Sequence, residues 1–179
     1  MKNIHLEELY DKLHNVLSQH FTGMLLENCV LCLKEEGHND GVALHPYTHS
    51  KNLVSSIIEL SWQMIITDKM KATYKDDNRI TDYAAMCLAL SIAAQLTDFK
   101  YVETSKIGEG IDFWLSKTDE SNFFARLEVS GIRKETKDNA IKKRLKIKLT
   151  QTNQSDKTNL PVYVSIIEFS KPQALYIQK

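Results

Sequence analysis

At 179 residues, 42% hydrophobic and 26% charged, the chain has the composition of a globular protein with one good core. Its 23 Lys/Arg balance 23 Asp/Glu, which excludes a polycation, and no apolar run approaches the roughly 18 residues of a membrane-spanning helix. The start, MKNIHLEELYDKL, is amphipathic and acidic, unlike a secretory leader, and three cysteines fit reduced thiols in a cytoplasmic protein.

Leu6, Leu9, Leu13, Val16 or Leu17, and Phe21 repeat at three-to-four spacing and predict an amphipathic helix over about residues 5–21. Met24 to Glu36 reads as a second helix, stopped by Gly37. GHNDGVALHPYTHSKN is loop-like with a short strand at Val42–Leu44, and Leu53, Ile57, Leu60 and Met64 mark a third helix. DKMKATYKDDN is polar and exposed. From Ile80 to Leu96 an Ala-rich run, apolar almost all round, predicts a helix buried on most sides. The pattern then switches: FKYVETS, IDFWLS and FFARLEVS are short, aromatic and β-branched, and separated by Gly or polar turns, as three strands would be. In NAIKKRLKIKLTQ, Ile141, Leu145 and Leu149 form one apolar stripe on a basic helix, and VYVSIIEF, after Pro161, reads as a buried strand. The expected fold is α+β. A helical N-terminal region, residues 1–75, packs as one unit on an α-β-β-β-α-β core, residues 76–179, with a mixed sheet and a right-handed last crossover.

Charge is unevenly distributed. Residues 1–100 hold 9 Lys/Arg against 13 Asp/Glu, whereas residues 101–179 hold 14 against 10. Most of the excess lies between Arg133 and Lys148, where Lys142, Lys143 and Lys146 give the basic helix a face suited to phosphates. Cys29-x2-Cys32, followed by His38, His45 and His49, invites a zinc reading. The two cysteines share one face of a helical pattern, however, and read as core residues.

One aspartate and one glutamate interrupt the strand-like runs. With a turn near Asp119–Glu120, opposed residues of the hairpin have numbers summing to about 239–240, so one register sets Asp112 opposite Glu128 on a shared face. A slip of one residue would separate them. Two adjacent carboxylates repel unless a cation intervenes. Either a hard divalent ion such as Mg²⁺ sits between them, or Arg126, on the same face, neutralises them as a structural salt bridge.

The order helix, three strands, helix, strand, with an Asp opening the second strand and a Glu in the third, resembles the restriction-endonuclease-like PD-(D/E)XK superfamily. The strings CLKEEGHNDGVAL, IGEGIDFWL, ARLEVSGI and LPVYVSIIEFSKP also resemble a group of uncharacterised bacterial proteins. The superfamily resemblance, over roughly residues 80–170, implies that Asp112 and Glu128 are the motif acids and metal ligands, with the Val129 carbonyl and Asp82 as further ligands. It also implies a catalytic lysine where this chain has Ser130, leaving Arg126 or one of Lys142, Lys143 and Lys146 to supply the charge. The expected function is a nuclease hydrolysing phosphodiester bonds in DNA with Mg²⁺ or Mn²⁺. The alternative is a non-catalytic binding or regulatory subunit of the same fold, and the absent lysine favours it. The N-terminal helices would serve as a lid, a homodimer surface or a dock for a protein partner.

Overall fold

The computed structural model describes residues 2–13, 17–118 and 122–179, so Val16 and the turn expected at Asp119–Glu120 lie outside the described residues. Two helices form its centre. The first, α2 (Gln19–Glu35), follows the short α1 (Glu7–Leu13), and ends where Gly37 turns left-handed at φ 85°. There the Gly37 N–H bonds Lys34 O and the His38 N–H bonds Leu33 O, the paired closure that only a residue tolerant of positive φ provides cheaply. The other, α4 (Asp77–Leu96), follows a single-turn helix, α3 (Asp68–Thr73). The Asp76 side chain accepts from the Asn78 and Arg79 N–H groups and so satisfies the first turn of α4. Its alanines at 84, 85, 89 and 93 are fully buried, which lets α2 and the sheet approach its axis closely.

The sheet has eight strands: β1 (Lys2–His5), β2 (Val42–Pro46), β3 (Ile58–Ser61), β4 (Tyr101–Thr104), β5 (Phe113–Ser116), β6 (Phe123–Ile132), β7 (Val162–Glu168) and β8 (Gln173–Gln178). Their spatial order is β1-β3-β2-β8-β7-β6-β5-β4. β4, β5 and β6 are successively antiparallel, and β7 joins β6 in parallel after α5 (Ile141–Gln151) and a 3-10 turn over Thr152–Thr158. The helix, three strands, helix and strand expected from residue 80 are therefore present, and the fold is α+β with a mixed sheet. Along β6, Ala125, Leu127 and Val129 face the α2 and α4 core, while Ile132 joins Ile141, Leu145, Val164 and Ile166 in a smaller core under α5.

The N-terminal region is helical but also carries strands that periodicity alone hides. The helix expected over about residues 5–21 is divided: His5 ends β1, which pairs in parallel with β3, α1 covers only Glu7–Leu13, and Phe21 belongs to α2. The helix expected through Leu53, Ile57, Leu60 and Met64 is absent. There Ile58, Leu60 and Trp62 are buried between half-exposed Glu59 and Ser61, a period of two that places a strand beside β2. The unexpected strand β8 pairs antiparallel with β7 and parallel with β2, joining the two halves into one sheet. Among the described residues no helix is long and apolar enough to cross a membrane.

Gly131 seats α4 on the sheet. A Cβ there would lie 2.4 Å from Thr81 O and 2.7 Å from the Thr81 methyl, so helix and strand touch through backbone. Gly131→Ala must push α4 outwards, at a cost of about 1–3 kcal/mol. We expect a lower urea midpoint with an unchanged slope; an unshifted midpoint would show that α4 can retreat freely.

Candidate active site

β5 and β6 pair Phe113 with Leu127, Trp114 with Arg126 and Leu115 with Ala125, so the residue numbers of each pair sum to 240. One residue further, just before β5, Asp112 lies across from Glu128, in the register that unites the two acids. The Asp112 N–H donates to Leu127 O at 3.0 Å, and its Oδ2 accepts the Val129 N–H at 2.7 Å. The second bond anchors the carboxylate on the strand edge next to Glu128. In an antiparallel strand a residue's N–H and C=O point to the same side, so the Val129 carbonyl also faces the β5 side, beyond Asp112.

Glu128 is 0% exposed. Its Oε1 accepts from Lys148 Nζ at 2.5 Å and from Gln151 Nε2 at 2.9 Å, while Oε2 is buried and has no hydrogen-bond donor. Lys148 and Gln151 are one turn apart on α5 and touch each other at 3.2 Å. Burial, then the neighbouring Asp112 charge, push the Glu128 carboxyl up to about 8, against the pull of Lys148. Burial also raises Asp112, with the Asp82 charge adding to it and the Val129 N–H and Lys148 opposing. A proton on Glu128 Oε2 would satisfy that orphan oxygen, and the upward shift of both carboxyls favours it.

Asp82, one residue after Thr81 on α4, is raised mainly by burial, and Lys148 and Arg144 counter it. Its charge reaches Asp112, yet among the described residues no three His, Cys, Asp or Glu side chains cluster closely enough to hold a metal. Asp82 therefore stands outside direct coordination with the pair. The two carboxylates and the Val129 carbonyl still offer a hard-oxygen set. Glu128 Oε2 has no donor, and Mg²⁺ commonly binds through one or two carboxylates with water completing its shell, so an ion here would have to displace the contacts that bury Glu128.

Arg126 is on the face of Glu128, but its guanidinium is engaged elsewhere. It donates to Leu160 O at 2.6 Å, to Ser155 Oγ at 2.9 Å and to Asp156 at 3.2 Å, pinning the 3-10 turn to the sheet. Ser130 is buried and receives Arg144 Nη1 at 3.3 Å. Lys142, Lys143 and Lys146 lie exposed on the outer face of α5, while Lys148 and Arg144 turn inwards. Charge alone marks Lys148 only as one of the basic residues of α5. Its phase held the signal: Arg144, Lys148 and Gln151 follow i, i+4, i+7 beside the Ile141–Leu145 stripe.

A cavity of about 390 Å³ opens at Asp112, between Lys106–Ile111 on one side and Tyr83, Met86 and Gln151 on the others. Its wall depends on Gly110, at φ 70°, where a Cβ would lie 2.2 Å from Gln151 O. That contact holds the loop carrying Asp112 against the end of α5 carrying Lys148. Cys29, Cys32 and Cys87 are buried and reduced, with burial pushing Cys32 up to about 12, and His38 Nε2 bonds Phe169 O at 2.8 Å. No family model, curated protein or solved structure matches the chain.

A carboxyl raised in the fold contributes stability that is full below the ordinary glutamate range and is lost as pH rises through the folded value, here about 8. The metal-free protein should thus lose stability between about pH 5 and pH 9. Glu128→Gln should flatten that decline, because its amide can accept from Lys148 and donate to Asp112 as the neutral acid does. Thermal midpoints across pH test this; parallel curves for the two proteins would remove the proton on Glu128.

Proposed function

We propose that the protein is a metal-dependent nuclease hydrolysing phosphodiester bonds in DNA, with Asp112 and Glu128 as the acids and Lys148 in place of the lysine missing at Ser130. The observation that carries this reading is the Lys148–Glu128 contact at 2.5 Å beside the Asp112 carboxylate. It unites two acids and one lysine, although the lysine comes from α5 rather than β6. The resemblance to the PD-(D/E)XK superfamily points the same way.

When bound, Mg²⁺ or Mn²⁺ would supply a Lewis acid at the scissile phosphate and a more acidic water. Asp112, Glu128 and the Val129 carbonyl would hold the ion. Lys148, held beside the two acids, would place its positive charge near the phosphate. Gln151 would keep the Glu128 carboxylate in its rotamer. Outside the cavity, the exposed Lys142, Lys143 and Lys146 would run along the backbone of a duplex.

Because burial and Asp112 raise the Glu128 carboxyl, Mn²⁺ binding should release a proton near neutral pH. Calorimetry in two buffers of different ionisation enthalpy measures this. Glu128→Gln should abolish both Mn²⁺ binding and nicking of plasmid DNA. Lys148→Met should retain Mn²⁺ while slowing nicking by about 10²-fold or more, as removal of one charge-stabilising donor does. A wild-type protein that neither binds Mn²⁺ nor nicks DNA would leave the non-catalytic module as the reading. The closed position of Glu128, wholly buried under Lys148, is the observation that favours that alternative.

The basic face has its own test. Charge reversal at Lys142, Lys143 and Lys146 should weaken duplex binding and flatten its dependence on log salt, by about 0.9 per lost phosphate contact. Folding should persist, because Ile141 and Leu145 carry the packing of α5. An unchanged salt slope would mean that this face is merely solvated.

A further inference from the structure

A second cavity, of about 460 Å³, lies on the other side of the loop that borders the Asp112 cavity. Its floor is aromatic. Trp114 and Phe123 stack with ring centroids 5.3 Å apart and an interplanar angle of 31°, both half-exposed. Trp114 pairs with Arg126 across the hairpin, and Arg126 shares a face with Glu128. The aromatic pair therefore lies on the same sheet face as the candidate catalytic acid, and Trp114 is two residues along β5 from Asp112. Thr104 and Lys106 line both cavities, so whatever crosses from one to the other passes Lys106.

The Trp114 ring is not free to collapse onto the protein. Its Nε1 donates to Glu109 Oε2 at 3.0 Å, and the same carboxylate oxygen accepts the Lys106 N–H at 2.9 Å. The bonds tie the indole edge to the loop, while Trp114 and Phe123 both line the cavity. Glu103 and Glu109 on the rim disfavour phosphates inside this second cavity, whereas Lys106 at the crossing and Lys157 near Glu109 favour a phosphate at its edge. The arrangement suits a strand whose backbone follows the lysines and whose bases turn inwards.

Building on the nuclease reading, we infer that Trp114 and Phe123 form a stacking shelf for unpaired bases of the substrate strand, so that the protein prefers single-stranded or overhanging DNA at its site. Base–aromatic stacking accepts any base and needs the base out of a duplex. A strand with its phosphate at Asp112 and its next bases on Trp114 crosses Lys106 on the way. The shelf thus supplies substrate class, and the acids supply chemistry.

The chain has two tryptophans, and the other, Trp62, is 6% exposed, so a Trp62→Phe background leaves Trp114 as the sole reporter. In that background, with Glu128→Gln to prevent cleavage, a fluorescein-labelled oligothymidylate and a blunt duplex of equal length are titrated by anisotropy and by indole emission. The single strand should bind more tightly and quench Trp114. Trp114→Leu should weaken its binding about tenfold or more, while Trp114→Phe, which keeps a stacking ring but loses the Glu109 bond, should stay within about threefold of the parent. Melting curves of each variant separate loss of stacking from loss of fold. Binding without quenching, or equal affinity in the Trp114→Leu protein, would overturn the shelf and leave the nuclease reading standing. Failure of both DNAs to bind would also overturn it. Quenching by the single strand in a protein that never nicks DNA would sustain the shelf and sink the nuclease.

Discussion

Two carboxyl groups held side by side inside a protein oppose each other's ionisation, and burial opposes both. Asp112 and Glu128 are in that position because the β5–β6 register leaves them nowhere else to go. What surrounds them follows from the need to compensate. The Val129 N–H takes one oxygen of Asp112, and Lys148 and Gln151 take one oxygen of Glu128. The last oxygen is left to a proton or an ion. None of these partners comes from the hairpin's own side chains. The compensation depends on α5 lying across the strands, and so on the parallel crossover that brings it there.

Two glycines make that meeting close enough. Gly131 lets α4 press its backbone on β6 and brings Asp82 within electrostatic range of the pair, and Gly110 lets the loop before β5 press on the end of α5. Each removes a side chain at a point where backbone meets backbone. The carboxylate pair, its counter-charge and its remote acid thus come from four segments whose spacing is fixed by main-chain contact, not by long flexible side chains.

The chemistry-bearing half of the fold was legible in the sequence because its signals are local. Alternation in FFARLEVS, a turn of definable length and an apolar stripe on a basic helix together imply a hairpin, a crossover and the meeting of Asp112 with Glu128. The N-terminal half was less legible. The four-residue strand around Leu60 also fits a three-to-four spacing, and only pairing with β2 and β1 decides between the two. Lys148 was hidden differently. It is one of several lysines on α5, and charge alone does not reveal which of them turns towards a buried acid. Arg126 misled because sharing a face with Glu128 is not contact; a long side chain goes where the most acceptors are, and the 3-10 turn offers more.

The joint between β2 and β8 bears on how the chain is made. The strands β1, β3 and β2 are all present once residue 61 has been synthesised, but the free edge of β2 must wait for β8, near the far end of the chain. While residues 62–173 are made, that edge is exposed in a partly built sheet, the condition in which nascent chains pair wrongly with one another. β8 then takes the donors which that edge offers: the His45 N–H bonds Pro172 O at 2.8 Å and the Tyr47 N–H bonds Ala174 O at 3.0 Å. The donors on either side of Pro46 thus close the seam, and the edge stays open only until its own neighbour arrives.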